Sequence, residues 1–392
     1  MMRYSNHGID AAGRRTRVCI VVASPEIIGG HSVQANRIAR GLSTEPGIDV
    51  ESLWINPPLP GIFRHMRRVK YLRTLVTLSV YVATLLIRLR SVDLVHVFAA
   101  SYWSFLLGPA PAVIIARLYR KPVILNYHSG EAGDHLARWR TAIPIMRLAD
   151  MIVVPSMFLV EVFAGFNLNA VAIANTVAPN VFKFKPRDEI RAIILSNRNL
   201  EPNYDVACTL HAFALVEKEV PSARLIVAGN GSQANDLRKL AVRLELRNID
   251  FIGAVDPERM PEVYHRADIF VNASVVDCMP LSILEAFACG LPVVTTRSGG
   301  IPCIVRHNEN GLLVEPGDHE QLARSILAVL RDQDLARRLI KGALADSHQF
   351  TWEHARPKWL AVYQRLVDGR PQRLQDASLI SGGIAPQSRE AE

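Results

Sequence analysis

Residues Asp277 to Thr296 read DCMPLSILEAFACGLPVVTT. Two carboxylates, Asp277 and Glu285, stand eight positions apart around the start of a short helix. Pro280 falls near the first helical position, where its missing N–H costs little. Gly290 follows the last apolar turn as a C-terminal stop, with Pro292 behind it. Residues 292–296 form a short β-branched run that reads as a buried parallel strand. Asp277 is therefore expected in a loop at a strand's carboxyl end, and Glu285 about one turn inside the helix. A helix N-terminus favours an anion, and the carboxylates accept from hydroxyls, so a phosphate-linked sugar fits. Strand–loop–helix units with a nearby carboxylate are also common as purely structural features.

On both sides of this stretch, short apolar β-branched runs alternate with segments of helical period. Strands are expected near 17–23, 49–54, 93–97, 122–126, 151–154 and 171–174, then near 191–196, 223–228, 249–253, 268–273, 292–296 and 311–314. Such alternation predicts parallel sheets with helices on both faces. A chain of 392 residues exceeds one comfortable core. Two doubly wound α/β domains are expected, 16–178 and 187–350. Between them, from Asn175 to Arg187, Pro179, Pro186 and mixed charges replace periodicity. A last helix, 352–367, carries Trp352, Trp359, Leu360, Tyr363 and Leu366 at helical spacing; it packs either on its own domain or back on the first. Residues 370–392 are Gln-, Ser- and Gly-rich and are expected to be disordered.

Three further clusters carry chemistry. Gly29 and Gly30 lie between the first strand and a helix, where glycines let the backbone approach a ligand. They are not a G-x-G-x-x-G fingerprint, which argues against NAD. His128 follows the strand ending at Leu125, in Asn126-Tyr127-His128-Ser129-Gly130-Glu131; alone it reads more often as a satisfied structural histidine. Arg198 lies in Ser196–Tyr204, where it reads either as a phosphate ligand or as a surface ion pair. Glu131 and Asp134 are candidate acceptor-side carboxylates. Gly229 and Ala254 lie in loops that end two other strands.

Taken together, these motifs resemble the retaining glycosyltransferases of the GT-B group related to glycogen synthase and sucrose synthase, the family 4 type. Their pattern is Glu-Gly-Phe-Gly-Leu-x-x-x-Glu-Ala-x-Ala-x-Gly-x-Pro-Val-Val. Glu285, Ala286, Ala288, Gly290 and Pro292 match it, Asp277 stands for the first Glu, and Cys278, Met279 and Pro280 replace Gly-Phe-Gly. Asn310-Gly311-Leu312-Leu313-Val314 and Gly299-Gly300 also resemble family turns. The resemblance covers about residues 17 to 367. It implies two facing Rossmann-like domains with a cleft, and a last helix that crosses back onto the first. It implies that Glu285 binds ribose hydroxyls and that Asp277 with the amides of Met279, Pro280, Leu281 and Ser282 holds sugar and phosphate. Arg198 then takes the diphosphate, Gly29 and Gly30 face it, and Gly229 and Ala254 border the nucleotide. His128 lies beside the transferred sugar and could donate a hydrogen bond to a hydroxyl or a backbone carbonyl. Asn203 stands where the family has a Lys, and Tyr204 where it has a Gly.

The implied activity is metal-independent, retaining transfer from a UDP- or GDP-linked sugar to a glycan or lipid-linked acceptor, with front-side attack. The implied setting is cell-surface polysaccharide or glycolipid synthesis. The alternatives are a nucleotide-sugar epimerase on the same scaffold and a degenerate scaffold that binds a membrane or partner. No cofactor or metal is expected, since no Asp-x-Asp pair stands out.

The net charge is +8, and residues 61–92 hold Arg64, Arg67, Arg68, Lys70, Arg73, Arg88 and Arg90 without an acid. Within them Thr74–Ile87 is mostly apolar; a helix there spans about 21 Å, too short to cross a hydrocarbon core of about 30 Å. It reads either as a buried helix with a basic end or as a helix on an anionic membrane surface. Nucleic acid is not expected, because no binding motif or interleaved aromatics accompany the charge. Cys19, Cys208, Cys278, Cys289 and Cys303 show no C-x-x-C pairing, and no signal peptide precedes the first strand, so a cytoplasmic setting is expected.

Overall fold

The computed structural model describes residues 3–4, 15–24, 29–57, 70–187 and 189–367. It divides into two compact units, one ending at Ala174 and resuming at Ala355, the other Asn175–His354.

The first unit is built on strands β1 (Arg3–Tyr4), β2 (Thr16–Val22), β3 (Ile48–Trp54), β4 (Leu94–Ala99), β5 (Val123–Tyr127), β6 (Met151–Val154) and β7 (Ala170–Ala172). They lie in the order β1-β3-β2-β4-β5-β6-β7. All pairs are parallel except β1, whose two residues pair antiparallel with β3 on the sheet edge. Its helices are α1 (Gly30–Ser43), α2 (Lys70–Arg88), α3 (Tyr102–Leu107), α4 (Pro109–Leu118), α5 (Ala132–Arg138), α6 (Ala142–Met146) and α7 (Met157–Ala164). The central strands are buried on both faces, which is why β2 and β4 read as continuous apolar runs.

The second unit holds β8 (Ile193–Asn197), β9 (Arg224–Ala228), β10 (Ile249–Gly253), β11 (Ile269–Asn272), β12 (Val293–Thr296) and β13 (Leu312–Val314), all parallel, in the order β10-β9-β8-β11-β12-β13. Helices α8 (Val206–Glu219), α9 (Ala234–Arg243), α10 (Met260–Arg266), α11 (Leu281–Ala288), α12 (His319–Arg331) and α13 (Gln333–Ser347) connect and cover them. Each unit is thus a doubly wound, Rossmann-like α/β domain. The strand order reverses between β8 and β11, and doubly wound sheets place their sites at the carboxyl ends beside such a reversal.

The boundary falls four residues ahead of the expected 178. Asn175 donates from Nδ2 to the Met279 carbonyl at 2.9 Å, and the Val177 N–H donates to the Phe350 carbonyl at 2.7 Å, so 175–178 belong to the second unit. The segment that follows is stapled to that unit by Arg187, whose side chain is 2% exposed. Its guanidinium donates to the carbonyls of Lys185, Tyr264, Ala267, Cys289 and Gly290 and to Asp268. The proline-rich stretch is a strap, not a loose linker.

The last helix, α14 (Trp352–Val367), takes the second of its two open packings: from Ala355 onward it lies back on the first unit. Arg356 pairs with Glu45 at 2.5 and 2.6 Å, and Trp359 and Tyr363 pack on His96. Helix α2 buries one face and leaves the rest exposed. Tyr81, Leu85 and Leu89 are buried on one face, while Leu75 and Ile87 are 61% and 69% exposed on the rest. With its 3-10 extension the apolar helix covers Leu72–Ser91, about 30 Å, so it is long and apolar enough to cross a membrane, and the expectation that it is too short does not hold. One such helix is weak evidence of a span. Arg64, Arg67 and Arg68 lie outside the described residues, as does the 370–392 tail. Arg88 is committed to Glu51 at 2.7 Å.

Candidate active site

Two loops meet at the carboxyl ends of β8 and β11. Arg198 follows β8, and Asp277 follows β11 and precedes α11. Arg198 donates from Nη2 to the Asp277 carboxylate and from Nη1 to Ser282 Oγ at 3.0 Å. The guanidinium lies over the Tyr204 ring, 4.1 Å from its centroid. Its Nε is buried without a partner. Arg198 is therefore a buried cation, and the surface ion-pair reading is wrong. Burial opposes its charge, but Asp277, with Tyr204, Tyr264 and Cys278, more than offsets this and raises its pKa. Burial pushes the Asp277 carboxyl up, against the pull of Arg198 and of the N–H groups of Cys278 and Met279.

Those two N–H groups bear on the expected phosphate cradle. The Met279 amide is already used by Asp277, and Pro280 has none, so neither amide is open to a ligand. Leu281 and Ser282 begin α11 without a side-chain cap, and first-turn N–H groups have no intrahelical acceptor. They are the amides the helix offers.

Glu285 is the fifth residue of α11 and 7% exposed. Its Oε2 accepts from the Tyr264 hydroxyl at 3.0 Å. The same hydroxyl lies 3.1 Å from the Ser282 carbonyl and accepts from Asn197 Nδ2 at 3.1 Å. Tyr264 thus ties the ends of β8 and α11 together. Neither Tyr264 nor Asn175, which holds Met279, was singled out in the sequence. They come from α10 and from the strap, and no local motif marks them.

Glycine fits the loops where the backbone is crowded. Gly299 has φ +52°, and a Cβ there would lie 2.1 Å from the Asp277 carbonyl oxygen, which accepts from the Gly300 N–H at 2.8 Å. Gly229 has φ +143°, and a Cβ would lie 2.1 Å from the Arg198 carbonyl oxygen. Its N–H donates to the Gly253 carbonyl at 2.8 Å, which places exposed Ala254 beside this loop. Asn203 sits in a 3-10 turn, Pro202–Tyr204, and its carbonyl accepts from the Val275 N–H at 2.9 Å. The residue in the lysine's place thus holds the two loops in register through its backbone, and the tyrosine after it supports Arg198.

In the first unit, Gly29 precedes α1 in extended conformation and Gly30 opens it, without a side-chain cap. His128 follows β5; His31, next to those glycines, is near enough to bear on it, and burial, then His31 and His96, push its pKa down to about 3. Its Nε2 lies 2.8 Å from Asn126 Oδ1. Asp134 is paired with Arg138 at 2.8 Å and with the Tyr102 hydroxyl. Among the described residues no cluster of three or more His, Cys, Asp or Glu is placed to hold a metal ion.

Burial also pushes His96 down to about 3. The unfolded chain takes up this proton near pH 6.5 and the folded chain does not, so the stability His96 preserves above pH 6.5 is lost as pH falls toward 3. The loss approaches about 1.4 kcal/mol per pH unit. Melting of the first unit followed from pH 7 to 5 is expected to fall, and His96→Asn to lessen that dependence while His128 keeps its share.

Residues 177–346 match the profile of the family described as glycosyl transferases group 1. The sulfoquinovosyl transferase SQD2 of Arabidopsis thaliana is 26% identical over 278 residues, 63% of this chain and 52% of that protein. A glycogen synthase of Mycobacterium tuberculosis is 27% identical over 280 residues, 67% of each. The chain thus spans about half the length of the Arabidopsis relative, and 21% and 37% of two other curated relatives. Anabaena HepE, crystallised with UDP, superposes with a TM-score of 0.70 at 18% identity, over 89% of this chain and all of that one. Residues 177–346 thus resemble the group 1 glycosyl transferases, and the chain has the GT-B fold of two Rossmann-like domains.

Proposed function

We propose that this chain is a retaining glycosyltransferase that moves a sugar from a UDP- or GDP-linked donor to a glycan or lipid-linked acceptor, in cell-surface polysaccharide or glycolipid synthesis. The observation that carries the reading is the buried Arg198–Asp277–Ser282 cluster beside Glu285 at the start of α11. Arg198 supplies fixed positive charge for a diphosphate, and the Leu281 and Ser282 amides add donors at the helix N-terminus. Glu285, held by Tyr264, accepts from ribose hydroxyls. As the sugar–phosphate bond breaks, negative charge grows on the leaving nucleoside diphosphate, and donors already in position stabilise it without reorganising. The arginine and helix amides take the role a divalent cation has elsewhere. In this reading the acceptor hydroxyl attacks on the face the nucleotide leaves.

Incubating the chain with each sugar nucleotide, with and without a membrane or polysaccharide extract, tests this. Nucleoside diphosphate release that requires the extract, with an α-donor giving an α-linked product, is expected. Epimerised donor without any acceptor would instead mark an epimerase.

The exposed apolar side of α2, with Leu72, Leu75, Leu86 and Ile87, motivates attachment to the cytoplasmic membrane face, near a lipid-linked acceptor. The chain is expected to float with anionic liposomes at low salt and less at high salt. Failure to float at low salt would rule the attachment out.

A further inference from the structure

A buried chain of hydrogen bonds runs from the last helix to His128. Tyr363 Oη lies 2.6 Å from His96 Nδ1, His96 Nε2 lies 3.1 Å from Asn126 Nδ2, and Asn126 Oδ1 lies 2.8 Å from His128 Nε2. His96 is fully buried, and Asn126 and Tyr363 are 1% and 3% exposed. Phe98 stacks on both imidazoles, at 4.9 and 5.4 Å, and Trp359 flanks His96 at 5.0 Å. The apolar walls keep both imidazoles neutral, so each has one N–H and one lone pair.

The Asn126 side chain then decides which nitrogen carries which. Its carbonyl oxygen only accepts, so His128 Nε2 must be the N–H. Its amide nitrogen only donates, so His96 Nε2 must be the lone pair, and His96 Nδ1–H donates to Tyr363. Turning the amide over requires both histidines to change tautomer together.

We propose that Tyr363, His96 and Asn126 are positioning residues that hold His128 as the Nε2–H tautomer, so that Nδ1 accepts a hydrogen bond from a sugar hydroxyl. This rests on the glycosyltransferase reading above, and it reverses the donor role expected for His128 from sequence. A lone pair repels phosphate oxygens and carbonyls, so the group met by His128 must donate, as a sugar hydroxyl does.

The test is nitrogen NMR of the whole chain labelled with ¹⁵N-histidine, with His128→Asn and His96→Asn to assign two of the twelve imidazoles. Protonated and bare ring nitrogens resonate far apart. His128 is expected to show a protonated Nε2 and a bare Nδ1, and His96 the opposite. Tyr363→Phe keeps the ring but removes the acceptor for His96 Nδ1–H, so both histidines are expected to exchange tautomers. A protonated Nδ1 on His128 in the unaltered chain, or His128 signals unmoved by Tyr363→Phe, would overturn the relay. With the free sugar of the donor as probe, His128→Ala should raise its dissociation constant about 2- to 10-fold, the worth of one hydrogen bond. Unchanged affinity for that sugar alongside the expected NMR pattern would leave the relay standing and overturn its role in sugar recognition, without touching the donor site of the second unit.

Discussion

Arg198→Ala is expected to lower sugar transfer by roughly 10²–10³-fold, the loss typical when one preorganised donor to developing charge is removed. The argument rests on where the guanidinium sits. It is buried between Asp277, Ser282 and the face of Tyr204, so it is rigid before any ligand arrives. A diphosphate bound at α11 meets a charge already paid for in desolvation. Lysine should not restore the activity, because an ammonium has no planar fork to reach Asp277, Ser282 and a phosphate at once. Removing the cation also leaves Asp277 buried without its partner, so the melting temperature is expected to fall as well. Steady-state turnover, read beside circular dichroism of the same preparation, separates the two effects. Near-normal turnover in a folded Arg198→Ala chain would remove Arg198 from the mechanism.

Arg187→Met is expected to destabilise the second unit by about 3–5 kcal/mol, as breaking a buried, hydrogen-bonded pair does. Methionine fills a similar path but leaves Asp268 and five carbonyls without the guanidinium that joined them. Arg191, 2.7 Å from Asp268 and largely exposed, offsets only part of that. For a domain of this size 1 kcal/mol moves the melting temperature by about 2–4 °C, so a drop on the order of 10 °C follows. Calorimetry should show it in the second unit, with the first unit's transition unmoved. Equal melting of variant and parent would mean that the strap is held by its packing alone.

The strands were legible because parallel strands buried on both faces are written as short β-branched runs, as in Val18–Val22 and Val293–Thr296. So was α11, since Gly290 and Pro292 end it in the chain itself. Other features depend on contacts distant in sequence. Arg187 stands in a stretch whose prolines read as a linker, yet its partners lie some 80 and 100 residues away. Tyr264 reaches Glu285 from another helix, and the bond that makes Asn175 matter crosses 104 residues. Tyr204 read as a departure from a pattern, because its service to Arg198 is visible only once the 3-10 turn is folded. Helix α2 runs past the apolar stretch 74–87 because Leu72 and Arg73 before it and Arg88 to Ser91 after it continue the same helical course.

The most direct measurement is thermal shift of the chain against a panel of UDP- and GDP-sugars, with Glu285→Ala beside it. Ligand at a hundred times its dissociation constant should stabilise by about 2.7 kcal/mol. A shift with one sugar nucleotide that Glu285→Ala abolishes is the expected result. No shift with any of them, or a shift that Glu285→Ala leaves intact, would contradict a donor site at α11.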